Sequence, residues 1–348
     1  MRAPRATSRF AHMDSLTQLA LGAAVGVAAM GRRTAPWKAA LVGAIAGTLP
    51  DLDVFVDHGD PVSNMVLHRA ESHALFWLSL AAPLLGALAA AALREWGAWT
   101  RWSWAVWLAL VTHPLLDVLT VYGTQLLLPF TNHPYGLGSV FIIDPLVTLP
   151  LLVGTGVALA RRDATARLRA NAWGLGLALA YLAWGAVAQQ HVRGVAERSL
   201  AAQGLSAERL LVTPAPLQTL LWRVVAVSGD SYFEGFYSVL DGVPSIQFDR
   251  FDRGLALAEP LQGHAPLEAV TRFSHGFYKL TRDGDTVRVH DLRMGQEPDY
   301  VFTFAVGRGA PQVGPLSPPE AVGGRGDAAA GLRWLGRRML GEPLPPPR

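Results

Sequence analysis

Six apolar runs dominate this chain, at about residues 16–31, 38–56, 72–93, 103–122, 140–160 and 172–189. Each approaches the ~20 residues that a helix needs to cross the hydrocarbon core of a bilayer. The pattern predicts an α-helical integral membrane bundle of about six transmembrane helices within residues 13–190. The first two runs are short and rich in Gly and Ala, which also suits re-entrant or closely packed helices. Composition agrees, because 51% of the 348 residues are hydrophobic and only 16% are charged, against ~25% charged in an ordinary soluble domain.

Basic residues orient such a bundle, since short cytoplasmic connections collect Arg and Lys. Arg32, Arg33 and Lys38, then Arg94 and Arg101, then Arg161, Arg162, Arg167 and Arg169 mark one side, and only Arg69 lies in the alternate connections. Residues 54–71, 123–139 and everything after about 190 are therefore expected outside, on the non-cytoplasmic side of the membrane. Arg2, Arg5 and Arg9 run against this bias, and a start at Met13 removes all three, making residues 1–12 a dispensable extension. A cleaved signal peptide ending near Ala28-Ala29 would leave five spans, but Thr17 and Gln18 interrupt the apolar stretch it needs. A net charge of +3 with scattered basic residues calls for no nucleic-acid partner; membrane lipids are the expected partners. The absence of cysteine means that any metal must be held by His, Asp and Glu.

Four polar clusters interrupt or end the apolar runs: Pro50-Asp51-Leu52-Asp53, His68-Arg69-Ala70-Glu71-Ser72-His73, His113-Pro114-Leu115-Leu116-Asp117 and Asp144-Pro145. An ionisable side chain at membrane depth costs roughly 2.5–3.5 kcal/mol or more. Each cluster alone has a plain structural reading. His113 and Asp117 share a helix face and can pair across helices, Asp51 can form an Asx turn beside Pro50, and Asp144 can N-cap the helix begun by Pro145. Together they carry more weight, because the orientation drawn from Arg and Lys alone brings all four to the same, non-cytoplasmic face.

The stretches Met13–Gly22, Gly47–Asp53, His68–Leu75 and Thr112–Pro129 resemble the YdjM-like family of bacterial membrane-bound metal-dependent hydrolases, in order and spacing, over roughly the N-terminal half. The resemblance implies an inner-membrane protein whose His and Asp residues bind divalent metal, and it suggests hydrolysis. The chain departs from the family pattern twice. Gln18 stands where shorter members tend to carry His, and His68-Arg69-Ala70-Glu71-Ser72-His73 keeps both imidazoles of the family's His-Arg-Gly-x-Thr-His run but loses its glycine.

Three imidazoles and up to four carboxylates suffice for one or two divalent ions, zinc by preference and manganese or iron as alternatives. His68, His73, His113 and Asp117 are the expected primary ligands, Asp51 and Asp53 further or bridging ligands, and Asp144 a group orienting an imidazole. Arg69 is placed to hold an anionic group of a substrate, with a snorkelling interfacial arginine as the alternative. Glu71, Arg69 and Asp53 are the candidate catalytic residues, Glu71 as a general base, and His58 and His133 line an entrance or simply the surface. The sequence thus leads to a membrane-bound hydrolase of an envelope or lipid-linked ester or phosphoester. The alternative is a non-enzymatic metal-binding or ion-transport protein, against which the apolar inner halves of the later spans speak.

Beyond residue 190 the pattern changes to that of a soluble, mainly antiparallel β domain, residues 191–306. A polar helix from Gln189 to Leu210 leads into it. Leu221–Val227 and Tyr232–Val239 flank a Gly-Asp turn, as do Gly276–Thr281 and Thr286–His290, and both read as hairpins; Tyr300–Val306 adds a strand. The aromatics of Tyr232–Tyr237 read as core packing rather than as a binding edge. Residues 307–348 read as a mobile Gly- and Pro-rich tail with one short amphipathic helix through Leu332, Trp334, Leu335 and Met339.

Overall fold

The computed structural model describes residues 11–324 and 327–348; the expected extension at residues 1–12 and its arginines lie almost wholly outside them. The helices are α1 (Ala11–Met30), α2 (Pro36–Thr48), α3 (Pro61–Leu67), α4 (Leu75–Ala92), α5 (Trp99–Val118), α6 (Pro145–Ala160), α7 (Ala164–Ala202), α8 (Ala265–Phe273) and α9 (Ala328–Met339). The chain forms two compact units, one comprising residues 1–56, 68–137 and 142–184, the other residues 57–67, 138–141 and 185–348.

The first unit is mainly helical, with an isolated β-bridge between Thr124 and Tyr135 in the connection after α5. Among the described residues only two helices, Leu75–Ala92 and Ala164–Ala202, are both long and apolar enough to cross a membrane, while Leu16–Met30 and Pro145–Ala160 are apolar but shorter. The six-span count therefore rests on the sequence pattern. The second run in particular is not one span: α2 stops at Thr48, and Pro50 opens a 3₁₀ turn, Pro50–Phe55, because proline supplies no N–H to continue the helix. A second 3₁₀ turn, Glu71–His73, precedes α4. These breaks fall where the carboxylates and imidazoles stand.

Small residues set the packing. A Cβ on Gly22 would lie 2.2 Å from the Gly43 carbonyl oxygen, and one on Gly47 would lie 2.9 Å from the Gly22 Cα. Glycine alone lets α1 and α2 approach at that distance. Trp102, Ala105, Ala90, Met30 and Val27 close one end of the helical core, and Leu78, Ala82, Val106, Ala109 and Leu110 fill the middle.

The second unit carries β1 (Arg209–Pro214), β2 (Leu221–Ser228), β3 (Ser231–Ser238), β4 (Asp249–Asp252), β5 (Tyr278–Asp283), β6 (Thr286–Asp291), β7 (Gly295–Gln296), β8 (Asp299–Tyr300), β9 (Thr303–Arg308) and β10 (Gly314–Ala321). They form antiparallel sheets in the orders β1-β2-β3-β4, β10-β9-β6-β5 and β7-β8. Both Gly-Asp turns are two-residue hairpin loops, with Ser228 opposite Ser231 and Asp283 opposite Thr286; Gly229 and Gly284 take the positive φ that such turns demand. Tyr232, Phe233 and Tyr237 are buried. The helix leading in ends at Ala202, and the residues before Thr213 are a strand instead. The Gly- and Pro-rich stretch after residue 307 is not all tail: β10 pairs with β9 as an edge strand, the position where Pro318 and Pro319 are tolerated. Beyond it Asp327 caps α9.

Candidate metal centre

Four ligating side chains converge in the first unit, from three separate stretches of chain. Asp51 stands on the first 3₁₀ turn, His73 closes the second, and His113 and Asp117 are one turn apart on α5. One ligand atom from each lies within 4.8 Å of all the others. His73 Nε2 is 3.0 Å from His113 Nε2, 3.5 Å from Asp51 Oδ1 and 3.2 Å from Asp117 Oδ2. His113 Nε2 is 3.3 Å from each of those two oxygens. Four ligands about 2.0 Å from one ion at tetrahedral corners stand about 3.3 Å apart, so these five separations match the edges of such a site.

The surroundings fix which atoms face inward. His113 Nδ1 donates to the Gly47 carbonyl at 2.6 Å, and a carbonyl can only accept, so in the neutral ring Nε2 carries the lone pair. His73 Nδ1 lies 2.8 Å from Ser72 Oγ, whose own proton goes to Asp53 Oδ2 at 2.6 Å; His73 is thereby set in the same tautomer. Two imidazole lone pairs then face one another at 3.0 Å, an arrangement that a cation between them relieves. Asp117 is divided in function. Its Oδ1 accepts from Gln18 Nε2 at 3.0 Å and meets the Arg69 guanidinium at 3.3 Å, while Oδ2, buried beside the imidazoles, has no hydrogen-bond donor. Asp51 Oδ2 is likewise buried without a donor.

Charge leads to the same conclusion. With neutral imidazoles, Asp51, Asp53 and Asp117 carry three negative charges against the single positive charge of Arg69. The difference of two is what a divalent ion, or a proton on each of the two imidazoles, supplies, and uncompensated buried charge is costly. Donor set, separations and orphaned oxygens all fit a divalent cation. His73, His113 and Asp117 are buried, and Asp51 is the partly exposed member of the four.

The remaining expected site residues lie elsewhere. His68 is outside the four-ligand group; its Nδ1 pairs with Asp53 Oδ1 at 2.8 Å, and its ring packs on Tyr122. Asp53 also accepts from the Arg69 backbone N–H at 3.0 Å, so it ties the two 3₁₀ turns together without joining the cluster. Arg69 has a positive φ of 64°, a conformation costing a non-glycine residue roughly 1–2 kcal/mol. That backbone turn separates His68 from His73 and sends a guanidinium only 1% exposed to Asp117, Thr120 and the Tyr122 ring. Glu71 is exposed at the start of its turn. Asp144 N-caps α6, accepting from the Leu146 N–H at 2.9 Å and from Tyr181 Oη at 2.8 Å. His133 packs against Tyr135, and His58 belongs to the second unit.

Gln18, Gly47 and Ser72 are the contributors that residue type did not reveal. Gln18 faces Asp117 Oδ1 and the His113 carbonyl, both acceptors, so its amide nitrogen must point at them. It holds Asp117 through Nε2, while its Oε1 is buried with no hydrogen-bond partner among the described residues.

The family model described as YdjM inner membrane protein matches residues 13–192, which include all four converging side chains and their partners. A curated relative, the uncharacterized protein YfhP of Bacillus subtilis (strain 168), is 26% identical over 155 residues. That match covers 42% of this chain and 46% of the relative, so the chain spans about half its length. No solved structure matches significantly.

Proposed function

This chain belongs to the YdjM inner membrane protein family, and on that premise we propose that it is a membrane-bound metal-dependent hydrolase acting on an envelope or lipid-linked ester or phosphoester. The observation that carries the reading is the His₂Asp₂ cluster, three of its four residues buried and Asp51 partly exposed. Imidazole and carboxylate donors at tetrahedral spacing suit zinc best. The positive-inside bias supports a multi-pass topology with the cluster and the β domain on the periplasmic side.

Asp51, His73, His113 and Asp117 would hold the ion. A divalent ion bound there would act as a Lewis acid toward the ester or phosphoester oxygen and supply a nucleophile from water at neutral pH. Gln18 and Arg69 hold Asp117 with one oxygen turned inward. The Gly47 carbonyl and Ser72 hold the two ligand imidazoles with Nε2 forward, the orienting role that outer partners play around metal ligands. The His68 ring lies 6.1 Å from that of His73, and because Asp53 engages its Nδ1, Nε2 is the atom that can take a proton from a reacting water.

The test is hydrolysis by the detergent-purified, metal-loaded protein of bis-p-nitrophenyl phosphate, p-nitrophenyl acyl esters and phosphatidic acid. Turnover that is abolished in His113→Ala supports the reading. Stoichiometric metal with no turnover of any of them, together with ion flux in proteoliposomes, would replace it with transport.

A further inference from the structure

We propose that Leu52, Phe55, Val56, Phe76, Leu127 and Phe130 form a hydrophobic lip at the bilayer boundary that receives the acyl chain of an amphiphile whose phosphate or ester head group reaches the metal centre. The head-group half of this proposal rests on the hydrolase reading; the lip stands on its own observations.

All six side chains are exposed, Phe55 and Phe130 to 78%. Leu80, Leu84 and Leu88 are exposed as well, but they lie along α4, where a lipid-facing helix surface accounts for them. Leu52, Phe55, Val56, Leu127 and Phe130 belong to no apolar helix. Leu52, Phe55 and Val56 belong to the turn that carries Asp51: Leu52 adjoins Asp51, Phe55 ends the turn and Val56 caps it. Phe76, the second residue of α4, stands three residues after His73 and meets the Phe130 ring edge-on at 5.6 Å. The segment bearing Leu127 and Phe130 is tied to both flanks of the His73 turn, Gln125 N donating to the Arg69 carbonyl at 2.9 Å and Leu75 N to the Leu126 carbonyl at 3.0 Å. Apolar side chains thus project beside both turns that carry ligands.

Depth follows from the backbone. Short turns and loops cannot face the hydrocarbon core, because their N–H and C=O groups lack the continuous pairing a helix gives. They can lie at the head-group boundary with apolar side chains dipping inward, and exposed Glu71 on the second turn then faces water. In a protein of an inner-membrane family, the occupant of such a lip is a lipid chain. Its anionic head group would meet three carboxylates and one arginine, so head-group binding requires the ion, whereas insertion of the lip does not.

The chain contains no cysteine, which permits single-site labelling without further change. Spin labels on Phe55→Cys, Phe130→Cys and Glu71→Cys, with the full chain in phosphatidylglycerol nanodiscs, report depth through collisions with oxygen and with a chelated nickel relaxant. Oxygen dominating at 55 and 130 and nickel dominating at 71 is the expected result, with or without metal. Nickel dominating at 55 and 130 would overturn the lip, whether or not the protein hydrolyses anything. For the chain-receiving role, Phe55→Ser should raise KM for a long-chain ester about tenfold over its effect on a short-chain one, with metal content unchanged. Equal effects on both esters would overturn that role.

Discussion

Gln18→Glu should weaken metal binding, although it adds a negative charge beside a cation site. The amide nitrogen of Gln18 is 3.0 Å from Asp117 Oδ1 and 3.3 Å from the His113 carbonyl, and the residue is 1% exposed. A glutamate there sets one carboxylate against another at 3.0 Å, a repulsion of about 5.5 kcal/mol at an effective dielectric near 20, before Arg69 offsets part of it. Gln18→Met removes only the donated hydrogen bond to a charged acceptor, about 1.5–3 kcal/mol, and should lower metal affinity about 10- to 100-fold, as loss of an orienting partner does. The expected order of zinc affinity is wild type, then Met, then Glu, read by chelator competition on detergent-purified protein at equal folded fraction. If residue 18 were itself a ligand through its amide oxygen, glutamate would bind at least as tightly as glutamine. Tighter binding by Gln18→Glu would therefore refute the assignment of Asp117 as the residue that Gln18 orients.

Two further outcomes are expected. Gly22→Ala places a methyl 2.2 Å from the Gly43 carbonyl and should destabilise the chain by about 1–3 kcal/mol, lowering metal retention as well, because α2 carries the Gly47 carbonyl that holds His113; thermal unfolding in detergent with parallel metal analysis checks both. In the β domain, burial and the nearby Lys279 ammonium push the His290 imidazole down from 6.5 to about 4. The unfolded chain then binds the extra proton first, so stability present at pH 7 falls as pH drops from 6.5 to 4, by about 3 kcal/mol in all; unfolding followed against pH should lose that slope in His290→Asn.

Much of this arrangement is legible in the sequence, and the limits are physical. Ionisable residues in apolar runs announce themselves by their cost, and three of the four clusters supply the converging side chains. The spacing of His68 and His73 could not tell ligand from neighbour, since that depends on the left-handed turn at Arg69. Asp144 shows the reverse case, its residue type serving equally for a cap and for a second shell; Leu146 and Tyr181 occupy its oxygens. Gly47 acts through a backbone carbonyl and leaves no signal of residue type, while Gln18 was marked only by the family resemblance, since its partner lies 99 positions away. In the β domain both Gly-Asp hairpins were readable because positive φ demands such residues, whereas β10 was masked by prolines that only its place at a sheet edge permits.

Metal content, measured on protein purified in detergent and loaded with zinc, manganese or iron(II), tests the four-ligand centre most directly. One ion per chain is expected for the wild type and for His68→Ala and Asp144→Ala, with loss of the ion in His73→Ala, His113→Ala and Asp117→Asn at equal folded yield. A wild type that stays metal-free after loading, or a His113→Ala protein that keeps its ion, would contradict the assignment.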